Sequence, residues 1–107
     1  MPLQVTYDDL VFSIGKNAED NWNLIDDSVG GDIWVHLHDH PSPHVVIENT
    51  KKIEEHHILH ACQLCKERSK MKMNKGVKCC VLDIKYIKKG KKKGEVKLLK
   101  VPKIIRV

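Results

Sequence analysis

Apolar and polar positions alternate through residues 32–38. Ile33, Val35 and Leu37 fall on one side of an extended strand, and Asp32, Trp34, His36 and His38 on the other. Pro41-Ser42-Pro43 then turns the chain, because proline donates no ladder hydrogen bond and restricts the residue before it. His44 opens a second short strand, with His44 and Val46 on one face and Val45 and Ile47 on the other. Two neighbouring strands of this kind bring His36 and His44 together on one side of a sheet. The face they share carries a carboxylate, an indole and imidazoles, an unusual mixture for a solvated surface.

The same reading extends in both directions. Residues 5–7 and 10–14 are β-like runs around Asp8-Asp9 and predict an opening hairpin. Asn17 caps a short helix over residues 18–25, with Asp20 in its first turn and Trp22 and Ile25 as its buried side. Acids and a glycine pair make residues 26–31 a loop. A long helix over residues 51–70 follows, capped by Asn49 or Thr50, with Glu54 and Glu55 early and Lys66, Arg68 and Lys70 late, as the helix dipole favours. Ile58, Ala61, Cys62 and Cys65 repeat at i, i+3, i+4, i+7, a stripe of small apolar groups suited to close packing on a sheet. Residues 77–87 predict a strand with Cys80, Leu82, Ile84 and Tyr86 on one face. A lysine-rich turn over residues 88–94 leads to strands over 95–99 and 103–107, with Pro102 marking a break. The order ββαββαβββ predicts a single α+β domain with a mostly antiparallel sheet and its helices on one face.

Charge changes the picture. The net charge of +5 hides a division: residues 1–65 hold three basic side chains against eleven acidic ones, and residues 66–107 hold sixteen against three. The carboxyl half therefore favours an anionic partner, with nucleic acid as the first choice and a merely soluble lysine-rich surface as the bland alternative. No stretch approaches the roughly 20 apolar residues of a membrane span. Residues 1–5 have neither a basic segment nor an apolar run, so no signal peptide is expected. Four cysteines without such a signal read as reduced thiols in a cytoplasmic protein.

Histidines and cysteines invite a metal reading, but structural zinc sites place Cys-x-x-Cys on a tight turn and need two converging pairs. Cys62 and Cys65 fall mid-helix on the apolar stripe, and Cys79 and Cys80 face opposite sides of a strand. They read as core thiols, and no metal or cofactor is expected. Ser42 with His44, and Asp32 with His36, do not by composition make a catalytic triad. No glycine-rich phosphate loop of the Walker or dinucleotide type is present. Trp34 either stacks on a nucleobase or buries its apolar area.

Gly15-Lys16-Asn17 with Asn21 and Leu24, then Asp32-x-Trp34-x-His36, then Ser42-x-His44-Val45-Val46-Ile47, resemble the signature of the NFACT-R domain. That is the RNA-binding domain of the NFACT proteins, among them the nuclear export mediator factor and the fibronectin-binding-protein-like relatives. The likeness runs through the small-residue helix to the lysine-rich turn, Gly94-Glu95-Val96 and the closing strands, covering nearly the whole chain as a standalone domain. The sequence departs from the family's usual form at Pro41-Ser42-Pro43-His44, where the family commonly carries a glycine.

The resemblance implies a non-enzymatic RNA-binding domain acting on tRNA or rRNA in translation or ribosome-associated quality control, with the ribosome as a further partner. Lys16, Asn17, Trp34, His36 and His44 are the candidate specific contacts. Lys88, Lys89, Lys91, Lys92 and Lys93 are the candidate phosphate contacts, which would accept DNA phosphates as well. The rival expectations are an enzyme or accessory factor in tRNA modification and a protein–protein docking module.

Overall fold

Leu10, Phe12 and Ile14 alternate with Val11 and Ser13, and this alternation builds the first core strand. In the computed structural model, which describes residues 2–107, β1 (Leu3–Tyr7) and β2 (Leu10–Ile14) pair antiparallel. Asp8 and Asp9 join them at φ 50° and 62°. Both turn residues are left-handed, which matches the twist of the strands and which aspartate tolerates.

The remaining elements are α1 (Ala18–Asp27), β3 (Ile33–Leu37), β4 (Val45–Ile47), α2 (Glu55–Glu67), β5 (Lys78–Asp83), β6 (Ile87–Lys89), β7 (Val96–Leu98) and β8 (Lys103–Arg106). Six strands form one antiparallel sheet in the order β1-β2-β4-β3-β5-β8, and β6 and β7 form a separate hairpin. The fold is α+β, as expected. Among the described residues no helix is long and apolar enough to cross a membrane.

Three predicted elements differ most from expectation. Residues 77–87 are not one strand: Asp83 accepts from the Lys85 N–H at 3.0 Å, and a 3-10 turn over Ile84–Tyr86 separates β5 from β6. This adds a strand to the expected order. Helix α2 starts at Glu55 rather than near residue 51, because the Glu54 N–H donates to His57 Nδ1 at 2.8 Å and closes the first turn there. It ends at Glu67, where the Ser69 hydroxyl donates to the Lys66 carbonyl at 2.7 Å. In α1, Leu24 is the buried apolar residue, with Trp22 and Ile25 partly exposed.

The two helices also lie on opposite faces of the sheet. Val35, Leu37, Val45, Ile47, Cys79 and Val81 face α2 and meet Ala61, Cys62 and Cys65. Trp34, Val46, Cys80 and Leu82 face the other way, where Leu24 of α1, Ile84 and Ile87 cover them. Central strands buried on both faces are apolar on both faces, so each face needs its own cover. The hairpin β6–β7 completes the second cover. Gly94, at φ +87°, sits so close to α1 that an added Cβ would lie 2.6 Å from the Ala18 Cβ. The Trp22 indole N–H donates to the Glu95 carbonyl at 2.9 Å.

Candidate nucleic-acid interface

Most of the motif residues work beneath the surface. The Asn17 carboxamide accepts from the Asp20 N–H at 2.9 Å and caps α1, as expected. Gly15 donates its N–H to the His44 carbonyl at 2.9 Å, and the Asn21 carboxamide accepts from the His44 N–H at 3.3 Å. A Cβ on Gly15 would fall 2.0 Å from Asn21 Oδ1, so glycine is what allows Asn21 to reach His44. Ser42 Oγ accepts from the Leu37 N–H at 3.1 Å and holds the proline loop against β3. Asp32 accepts from the Asn49 and Val29 N–H groups at 2.9 and 3.1 Å, fixing two loops rather than orienting a histidine.

Trp34 is 2% exposed and His44 is 4% exposed, so neither presents a free ring face to a ligand. The Trp34 indole N–H donates to His44 Nδ1 at 3.2 Å. His36 stacks on Trp34, with centroids 5.7 Å apart and planes at 16°, and meets His44 edge-on at 4.7 Å. The expected approach of His36 and His44 is therefore present, and of these three rings only His36 remains partly exposed. Burial holds His36 below the ordinary imidazole range, against the opposing pull of the Leu37 and Ser42 backbone. Burial, with a smaller push from His36, brings His44 down to about 3. Both rings are neutral at neutral pH.

Above this support lies a cleft of about 690 Å³. Its walls are the amino end of α1, the loop at residues 40–43, the segment following α2, and the β6–β7 turn. Lys16, Arg68, Lys70 and Lys93 line it, all exposed. The helix dipole at Asn17 and Ala18 adds positive potential at the same end. Lys16 and Lys93 are among the contacts proposed from the sequence, whereas Arg68 and Lys70, expected inside the last turn of α2, lie at and beyond its carboxyl cap and turn to the cleft.

The lysines of the turn divide by partner. Lys89 Nζ lies 2.6 Å from an Asp26 carboxylate oxygen and 5.5 Å from the Trp22 ring centroid, so it ties the hairpin to α1. Lys93 is 3.9 Å from Glu19, a long exposed pair that contributes little. Lys88, Lys91 and Lys92 are exposed.

The four cysteines are free thiols and buried, Cys62, Cys65 and Cys79 in one core and Cys80 in the other. Hydrogen bonding to Cys79 and burial push the Cys62 thiol up, and burial does the same to Cys80. Neither is primed as a thiolate. Among the described residues Asp8, His56 and His57 place three potential ligand atoms within 4.8 Å of one another. His57 Nδ1 already accepts from the Glu54 N–H, so its Nε2 carries the proton and donates to Asp8 at 2.6 Å. That nitrogen has no lone pair for an ion, and the cluster is a hydrogen-bonded tie between the β1–β2 turn and α2.

A family model described as the NFACT protein RNA binding domain matches residues 3–100. Among solved structures, the C-terminal part of the fibronectin/fibrinogen-binding protein from Streptococcus suis is similar over 99% of this chain, with a TM-score of 0.90 and 26% identity. The chain spans 45% of that structure's chain. No curated protein matches the chain.

Proposed function

The chain belongs to the NFACT protein RNA-binding domain family, and from that premise we propose that it holds structured RNA of the translation machinery, tRNA or rRNA, through the cleft at the amino end of α1. The role is binding rather than catalysis, in the cytoplasm and in a ribosome quality-control setting. The observation that carries this reading is the convergence of Lys16, Arg68, Lys70 and Lys93 on one concave surface. One of these cations comes from the acidic half of the chain and three from the basic half, so the fold gathers them.

Lysine and arginine side chains around a cleft neutralise phosphates and release counterions, which supplies affinity with little sequence preference. The buried Trp34–His44 pair and the Asn21–His44 contact fix the loop at residues 40–43, and so hold the cleft open before RNA arrives. Crosslinking to a tRNA transcript, followed by peptide mapping, tests the placement. Adducts should fall in the 40–43 loop, the segment after α2 and the β6–β7 turn. Adducts confined to β1, β2 and the exposed side of α2 would refute it.

A further inference from the structure

Beside the basic cleft runs a second groove of about 420 Å³, a size that suits a small planar ligand. His36 stacked on Trp34, His38, Cys80, and Val96 and Leu98 of the hairpin line it. His40 and Pro41 line both the groove and the cleft, so the two are continuous around one loop.

The two sites differ sharply in charge. Lysine and arginine line the cleft, whereas the groove has neither among its lining residues and carries the Asp39 carboxylate instead. Asp39 has a left-handed backbone, φ 63°, and its Oδ2 lies 3.1 Å from His38 Nε2. The opposite ring nitrogen, His38 Nδ1, lies 3.3 Å from the Cys80 thiol. A carboxylate in the lining repels a phosphate. It accepts hydrogen bonds from the exocyclic amines of a base.

Resting on the RNA-binding reading above, we propose that this groove takes one unpaired nucleobase of the RNA whose phosphates lie in the adjoining cleft. The base packs against the partly exposed His36 and against Val96 and Leu98, and the His38–Asp39 pair reads its polar edge. Burial holds the His36 imidazole below its ordinary range, which favours a flat neutral packing surface over an ionic phosphate contact. Stacked bases inside a continuous duplex cannot enter such a groove, whereas loops, bulges and single strands can.

The test uses the intact chain and two probes of one sequence, a short fluorescent single-stranded RNA and its blunt duplex, compared by anisotropy. The proposal expects the single strand to bind ~5- to 150-fold more tightly, the range of one base–ring contact. His36→Ala should reduce that preference while leaving the salt dependence unchanged, and His36→Phe should retain it. Equal affinity for the two probes, or tighter binding of the duplex, overturns the groove assignment and leaves RNA binding standing. Failure of both probes to bind at low salt overturns the RNA-binding reading, and the groove assignment with it.

Discussion

The indole N–H of Trp34 donates to His44 Nδ1 inside the protein, across 3.2 Å, and this contact sets the tautomer of the central histidine. A nitrogen that accepts a hydrogen bond carries no proton, so neutral His44 is the Nε2–H tautomer. Protonating it would break the contact and bury a charge.

Stability should therefore fall in acid. His44 has an ordinary value of 6.5 and a folded value of about 3. Between those values the unfolded chain binds a proton that the folded chain does not, so stability drops as pH falls through that window and levels off above it. Urea titrations across the window should show this limb, and His44→Gln should flatten it. Trp34→Phe, which leaves His44 Nδ1 without its donor, should lower stability by about 1–3 kcal/mol.

Gly94→Ala should loosen the hairpin from α1. The substitution forces a side chain into φ +87° and sets its Cβ 2.8 Å from the Ala18 Cα. A loss of about 1–3 kcal/mol is expected, with faster hydrogen exchange in β6 and β7 than in β3 and β4. Uniform exchange across all four strands would show that the hairpin is not a separable cover.

The strand pair around His36 and His44 was legible because period two is insensitive to context. The two-sided sheet was not. Val45-Val46-Ile47 and Cys79-Cys80-Val81-Leu82 are buried throughout, and a continuous apolar run carries no information about which face a helix covers. Asp83 ended β5 through a side-chain hydrogen bond inside a pattern that still alternated. The cleft draws on four separated segments, so spacing along the chain could not assemble it. The motif residues were recognised together, but their division into a buried support and an exposed rim is a property of the packing.

The Asp8–His57 tie makes a prediction about metal. Hydrogen bonds from His57 and His56, with the Lys51 charge, hold the Asp8 carboxyl below its usual range. Its contribution is fully present above the usual carboxyl range and is lost as pH falls below it, through the lowered folded value. Asp8→Asn should lower the Tm at neutral pH and less so in strong acid. Added zinc should not raise the Tm of either protein, and a zinc-dependent rise in the parent alone would assign the cluster to an ion.

The lysines of the β6–β7 turn should sort by partner. Lys89→Ala, which removes the Asp26 and Trp22 contacts, should cost about 0.5–1 kcal/mol of stability. Lys91→Ala and Lys92→Ala should leave the Tm unchanged and weaken RNA binding by similar factors for unrelated sequences. Thermal melts alongside anisotropy titrations separate the two classes.

The salt dependence of RNA affinity tests the cleft most directly. Log affinity for a tRNA transcript should fall linearly with log salt, and the slope counts the phosphates neutralised. The combined variant Lys16→Ala, Arg68→Ala, Lys70→Ala should keep the parental Tm, bind more weakly at low salt, and lose about one unit of slope for each phosphate contact removed. A variant with the parental affinity and the parental slope would contradict the assignment of this cleft as the RNA site.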